Sequence, residues 1–190
     1  MIPMRPTELA HRIVREVLCE GAHAVDATAG NGHDTCVLAE AVGASGRVTA
    51  FDVQQAAIDA TRLRLASAGL LDRVDLVCDS HLHIAARVAA GNVSAVMFNL
   101  GYLPGGDHSL ITRAADTDAA IAAACGLLRS GGVITVVCYP GHPGGGEEAA
   151  SVAERMRVLT GDGWRIGSHA PVGTRRPSPV LWFAKRADAG

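Results

Sequence analysis

The feature that most limits how this chain can fold is an alternation. Five short apolar runs, AVDAT (24–28), RVTAFD (47–52), RVDLVC (73–78), SAVMFNL (94–100) and GVITVVCY (132–139), are each followed by a segment whose apolar residues recur at helical spacing. Those segments cover residues 33–42, 54–68, 80–90, 112–129 and 146–160, and a further one, residues 7–20 with Leu9, Ile13 and Val17 on one side, precedes the first run. Runs nearly continuous in Val, Ile and Ala are buried on both faces, and a strand, helix, strand order pairs its strands in parallel through a crossover. The pattern predicts a doubly wound α/β fold, a mostly parallel sheet with helices on both faces. Near the end the alternation stops. WRIGSHAPV (164–172) and SPVLWFAKR (178–186) are two strand-like runs joined by a short Gly/Arg/Pro loop, which predicts a C-terminal antiparallel hairpin and a seven-stranded sheet.

With 190 residues, 48% of them hydrophobic, the chain can bury one core of ordinary size, so a single domain over residues 1–190 is expected. A net charge of −2 supplies no global field toward nucleic acid, and any RNA contact needs a local basic patch. Cys19, Cys36, Cys78, Cys125 and Cys138 are odd in number and lack CxxC spacing, and four of them sit in apolar-periodic segments. That is the pattern of buried, reduced thiols in a cytoplasmic protein, with neither a disulfide framework nor a metal site. No apolar run approaches the ~18 residues of a membrane span, and MIPMRPTELAHRIV has no leader-like apolar stretch, so no membrane partner is expected.

In open α/β sheets ligands bind beyond the carboxyl ends of the strands. The first strand is followed there by DATAGNGHDT (26–35), in which Gly30 and Gly32 allow a tight turn and bring a ligand close to the amides opening the next helix. Thr35 stands where a dinucleotide fingerprint has its third glycine, and no GK[ST] follows, which excludes a P-loop. A turn in which Asp34 or Thr35 merely caps the helix is an equal reading. The second strand ends in FDVQ, where Asp52 could accept from both hydroxyls of a ribose with Gln54 beside it, or could cap a helix. The third ends in CDSHLH, which would carry Ser80 or His81 to an adenine edge and leave His83 solvated. Three successive strand ends presenting polar groups to one nucleoside point to adenosine. Asp26 at the end of the first strand suits the cationic methionine part of S-adenosylmethionine better than a nicotinamide dinucleotide.

The fourth strand ends in FNLGYLPGGD, beside the expected methyl donor. The Asn99-x-x-Tyr102 spacing is similar to the N-P-P-Y segment of methyltransferases acting on nitrogen. An amine there would donate to the Asn99 side-chain oxygen and the Leu100 carbonyl, and Tyr102 would stack on a flat substrate; the competing reading is a turn Asn and a rim Tyr. An alkylamine must lose a proton before it can attack, and His142 and Asp107, the latter beside His108, are candidates to take it. Glu147 and Glu148 would favour a helix N-terminus.

Together, DATAGNGHDT, FDVQ, Ser80 with His81, FNLGYLPGGD, Thr112 and YPGHPGGGEE (139–148) resemble the "putative rRNA methylase" family of class I methyltransferases, over about residues 5–186. The resemblance implies a Rossmann-like fold, S-adenosyl-L-methionine as donor and N-methylation of an aminomethyl uridine. The branch of tRNA 5-aminomethyl-2-thiouridine methyltransferases completes the wobble uridine in this way. Carried onto this chain, it implies cofactor contacts at Asn31, His33, Asp52, Gln54, Ser80 and His81, to which the strand-end reading adds Asp26, Thr28, Gly30, Gly32, Asp34, Thr35, Asn99 and Leu100. Asn99, Tyr102, Asp107 and His142 are the expected catalytic set. Before the last strand, family members usually carry an aromatic, an Asn and a Pro-Pro. Here SHAPVGTRRPSPV (168–180) offers Arg175 and Arg176, which with Arg113 are the expected RNA contacts. The expected partner is a tRNA anticodon stem-loop, with a homodimer left open. An rRNA or small-amine methyltransferase is the alternative; a silent adenosine-binding subunit is a third, against which the intact 99–107 loop argues.

Overall fold

The computed structural model describes residues 4–101, 114–141, 144–173 and 177–188. In chain order it contains α1 (Pro6–Val17), β1 (His23–Asp26), α2 (His33–Ala41), β2 (Arg47–Asp52), α3 (Gln55–Ala68), β3 (Val74–Cys78), α4 (Ile84–Arg87), β4 (Val93–Asn99), α5 (Ala114–Leu127), β5 (Leu128–Cys138), α6 (Gly145–Gly161), β6 (Arg165–His169) and β7 (Val180–Lys185). The strands form one seven-stranded sheet in the order β3-β2-β1-β4-β5-β7-β6. The first five pair in parallel, and β7 runs antiparallel to both β5 and β6. The expected mixed sheet is therefore present. Its terminal hairpin is attached by its second strand, β7, which lies between β5 and β6.

The central strands are buried on both faces, as their composition requires. Along β4, Val96 and Phe98 pack into one core with Ile121 of α5 and Met156 of α6. Ala95 and Met97 face the other, with Ala10 and Val14 of α1, Leu38 of α2 and Leu65 of α3. Each fully buried side chain of this size contributes about 1.5–3 kcal/mol, so the two cores hold the helices to opposite faces of the sheet. Pro6 opens α1 at a position where no backbone donor is lost, and the Glu8 carboxylate accepts from Arg5 N–H at 3.3 Å. The strand order reverses between β1 and β4, and the crevice at that switch point is where a doubly wound sheet takes its ligand.

Two elements differ most from their expected extents. The helix expected over 80–90 is a 3-10 turn, His81–His83, followed by one turn of α4. Ser80 Oγ accepts from Leu82 N–H at 3.2 Å and tightens the start, and the buried, β-branched Val88 leaves in an extended conformation. Strand β5 begins at Leu128, inside the stretch expected to be helical. Its pairing with β4 jumps from Val93↔Leu128 to Ala95↔Val133, and Gly131 takes φ 71° within the irregularity. A bulge of this kind needs a left-handed glycine, which in sequence reads as a turn.

The expectation of buried thiols holds for Cys125 and Cys138, whose pKa values burial pushes up to about 11 and about 12. It fails at Cys19 and Cys78, which are exposed, and Cys36 is half-buried; all five are free. Among the described residues no helix is long and apolar enough to cross a membrane, and no three His, Cys, Asp or Glu side chains are grouped to hold a metal ion.

Candidate functional site

The carboxyl ends of β1, β2 and β4 open onto a cavity of about 530 Å³. That volume suits a nucleoside-sized ligand. Thr28, Gly30, Asn31, His33 and Asp34 come to its wall from the turn after β1, Asp52 and Gln54 from β2, and Ser80 and His81 from the turn after β3. Asn99 and Leu100 close it from β4, with Tyr139 beyond the end of β5.

The turn after β1 is built on a buried carboxylate. Asp26 is fully buried; its Oδ1 accepts from Thr28 N–H at 3.0 Å and its Oδ2 from the Thr35 hydroxyl at 2.6 Å. Burial, and then the charge of Asp34, push its pKa up to about 7. Asp26 does not line the cavity. It is a strut behind the wall, and it places Thr28, whose hydroxyl accepts from Asn99 N–H at 2.7 Å.

Thr35 is the other end of that strut, which explains why a threonine replaces the third glycine of the fingerprint. Gly32 also lies behind the wall. Its φ of 79° is left-handed, and a Cβ there would stand 2.9 Å from Thr61 Cα. It caps α2 without any side-chain bond, so the capping role considered for Asp34 and Thr35 falls to neither. Gly32 and Thr35 thus shape the turn without lining the cavity.

Asp52 bridges two loops. Its Oδ2 accepts from Gly30 N–H and its Oδ1 from Gln54 N–H, both at 2.9 Å. It therefore does fix the entry to α3, yet it also faces the cavity. A carboxylate has about four acceptor positions, so two remain for a ligand. His81 is buried, with Nδ1 3.2 Å from the Ala27 carbonyl and its ring edge-on to Phe98 at 5.7 Å. A carbonyl only accepts, so Nδ1 carries the proton, and burial lowers the pKa and keeps the ring neutral. His83 is solvated as expected, 2.8 Å from Asp79 Oδ1. Glu148 stands in the first turn of α6, as expected, and is buried there, where it accepts from the Thr117 hydroxyl of α5 at 2.8 Å.

Asn99 is held from two sides. Beyond the Thr28 contact, its Nδ2 donates to Asp34 Oδ2 at 2.9 Å. An amide beside a carboxylate must present its NH₂ there, so its oxygen points away from Asp34; that Oδ1 is buried and has no hydrogen-bond partner among the described residues. The other oxygen of Asp34 lies 2.6 Å from His11 Nε2 of α1. Tyr139 stands by, its pKa raised by burial and next by the charge of Asp34.

Sequence reading missed four residues of this neighbourhood. His11 and Tyr139 come from elements remote in sequence. Thr61 and Arg64 of α3 turn back on the glycine loop: the Thr61 hydroxyl donates to Gly30 O at 3.0 Å, and Arg64 donates to Asn31 O at 2.6 Å and to His33 Nε2 at 3.1 Å. Tyr102, Asp107, His142, Arg113, Arg175 and Arg176 lie outside the described residues.

Residues 48–185 match the family described as "Putative rRNA methylase". The chain belongs to that family. It is 41% identical over 188 residues to the chloroplastic tRNA (mnm(5)s(2)U34)-methyltransferase of Arabidopsis thaliana, covering 94% of this chain and 68% of that protein. Among solved structures it is similar to a "putative rRNA-methylase" from Clostridium thermocellum, with 38% identity, a TM-score of 0.92 and coverage of 97% of this chain and 99% of that one. It is also similar to a "putative methyltransferase" from Streptococcus mutans in complex with SAH, at 33% identity, TM-score 0.87 and coverage of 97% and 99%. The fold is that of the class I methyltransferases, and in this methyltransferase family member the polar strand ends converge on a single cavity at the switch point.

Proposed function

We propose that this chain transfers the methyl group of S-adenosylmethionine to the aminomethyl nitrogen of the wobble uridine in tRNA. The observation that carries the reading is Asn99: a strand-end amide whose orientation is fixed by Asp34 and Thr28, and whose buried oxygen has no partner among the described residues. Such an acceptor suits the N–H of an attacking amine. The residues present also fit the cofactor. Asp52 keeps acceptor positions for two ribose hydroxyls, Ser80 and His81 lie where an adenine edge would reach, and the Gly30–Asn31 backbone permits close approach of the methionine part.

When bound, the cofactor supplies a methyl group on a sulfonium, an electrophile that needs no further activation. The chain's part is to orient the nitrogen. Asn99 Oδ1 accepts one N–H, the Leu100 carbonyl is offered to a second, and the lone pair is left aimed at the methyl carbon. Because Asn99 is already anchored, its acceptor costs no reorganisation as the nitrogen gains positive charge. The tRNA named for the Arabidopsis relative supports an RNA substrate, with Arg113, Arg175 and Arg176 as proposed phosphate contacts on the anticodon stem-loop.

The test is mass spectrometry of tRNA nucleosides from a strain lacking the protein, joined to methylation assays with purified protein. Aminomethyl uridine should accumulate at the wobble position in that strain. Asn99→Ala should lower kcat by about 10²-fold, the effect of losing one preorganised transition-state partner, with cofactor affinity little changed. Unaltered tRNA nucleosides, or methyl groups appearing in rRNA instead, would overturn the reading.

A further inference from the structure

The proposed substrate arrives in the wrong protonation state. An alkylamine titrates near the lysine side chain, about 10.4, so at neutral pH only about one molecule in 10³ has a lone pair to attack with. A group at the cavity wall must take the proton and have somewhere to send it. Asp34 is such a group. It lines the cavity, and its side chain is 9% exposed. One oxygen accepts from Asn99 Nδ2 at 2.9 Å, and the other lies 2.6 Å from His11 Nε2. His11 retains 21% side-chain exposure, which gives it access to solvent.

We infer that His11 and Asp34 form the proton outlet of the transfer site, with Asp34 receiving the ammonium proton and His11 of α1 releasing one to solvent. This rests on the amine-methylation reading above. The step balances as follows. The ammonium R–NH₃⁺ gives one proton to a free position of the Asp34 carboxylate, whose other oxygen accepts from Nε2–H of a protonated His11; with its counter-charge gone the imidazolium gives up its Nδ1 proton, leaving R–NH₂ beside a neutral carboxyl and a neutral imidazole. The nitrogen lone pair then forms the N–CH₃ bond while the C–S bond breaks, its electron pair going to sulfur to give the neutral thioether. The Nδ1 proton of His11 goes to water. Asp34 can do this without releasing Asn99, because two of its acceptor positions remain free.

The surrounding charges do not compete for the pair. On α1, Glu8 accepts from Arg5 N–H, Arg12 contacts the Met4 sulfur and Arg15 pairs with Glu40 of α2. On α2, His33 is engaged by Arg64. Asp26 behind the wall and Tyr139 beyond β5 interact with Asp34 electrostatically. Lys185 of β7 pairs with Val133, at the end of β5 away from the cavity. The Asp34 charge favours a cation at the cavity wall, which is the form in which the amine arrives. His11 also lies outside residues 48–185, the part matched by the family.

The experiment is single-turnover methylation of aminomethyl-uridine tRNA from pH 6 to pH 9.5 at saturating S-adenosylmethionine. Wild type is compared with His11→Ala, His11→Gln and Asp34→Asn, with cofactor affinity followed by calorimetry and folding by thermal unfolding. His11→Gln keeps a hydrogen bond to Asp34 but cannot release a proton. Both His11 variants should be slower at pH 7 by about 10²-fold, the range of a general base, and should recover about tenfold per pH unit as the amine deprotonates by itself. Added imidazole should restore part of the His11→Ala rate at pH 7, and cofactor affinity should stay within about threefold in both His11 variants, since His11 does not line the cavity. Variants with the wild-type pH profile and no imidazole rescue would show that the pair only tethers α1. A wild-type enzyme inactive on this tRNA would instead fail the amine reading itself.

Discussion

Replacing Asp52 with Ala isolates the ribose contact from every other feature of the site. The carboxylate holds Gly30 N–H and Gln54 N–H at 2.9 Å each and still presents two acceptor positions to the cavity. A hydrogen bond to a charged acceptor is worth about 1.5–3 kcal/mol, and two ribose hydroxyls lost together would remove about 3–6 kcal/mol if nothing replaced them. Water enters the space left by the side chain and recovers part of this. The lower end of the range is therefore the better expectation, about 3 kcal/mol or roughly 10²-fold in Kd.

Calorimetric titration with S-adenosylmethionine measures the loss directly. Adenosine alone should lose a similar factor, because Asp52 reads the sugar and not the methionine part. Asp52→Asn should fall between the two proteins: its amide keeps one acceptor but must turn an NH₂ toward either the Gly30 or the Gln54 donor. A folded Asp52→Ala protein that binds the cofactor with wild-type affinity would refute the assignment of this cavity to an adenosine cofactor.

Two further outcomes concern the turn that carries the site. Gly32→Ala places a Cβ 2.9 Å from Thr61 Cα, a backbone atom that cannot swing aside, at a φ of 79°. Left-handed backbone and overpacking each cost about 1–2 kcal/mol or more, so urea unfolding should show a loss of about 2–4 kcal/mol, and an unchanged midpoint would contradict the described turn. For Asp26, the folded pKa of about 7 lies above the ordinary value of 3.8. The native state therefore binds more protons than the unfolded chain across that window, and the contribution of Asp26 to stability falls as pH rises from about 4 to about 7 and is level above it. Asp26→Asn can still accept from Thr28 N–H and donate to Thr35 Oγ1, so its stability relative to wild type should increase between pH 5 and pH 8; a difference independent of pH would contradict the buried, protonating carboxyl.

How far the sequence could be read follows from where each signal sits. Strands β1, β2, β4 and β5 are legible because both faces are buried, so β4 is an unbroken apolar run up to Asn99. The start of β5 is not, because LRSGG (128–132) contains a bulge whose Gly131 looks like the end of an element. Site residues standing at strand ends, Thr28, Gly30, Asp52, Ser80, His81 and Asn99, could be found because the fold fixes which end of each strand meets the ligand. Arg64 could not. Nothing in RLRL (62–65) distinguishes it from Arg62 until α3 is laid against the glycine loop.

Asp34 shows the limit most clearly. Its place at the opening of α2 allows two roles by sequence, a helix cap or a wall residue, and composition favours neither. What decides between them is the helix before β1: α1 packs across β4, β5 and β7, and this brings His11 to 2.6 Å from a carboxylate 23 residues later. Once one oxygen of Asp34 is held by His11, the other is left for Asn99, and the Asn99 amide can take only one orientation. The direction of the orphaned oxygen, and with it the expected path of the amine, is thus set by an N-terminal helix that carries no motif. A signal of this kind exists only as a tertiary contact, which is why the chemistry of Asn99 could be anticipated while the residue that orients it could not.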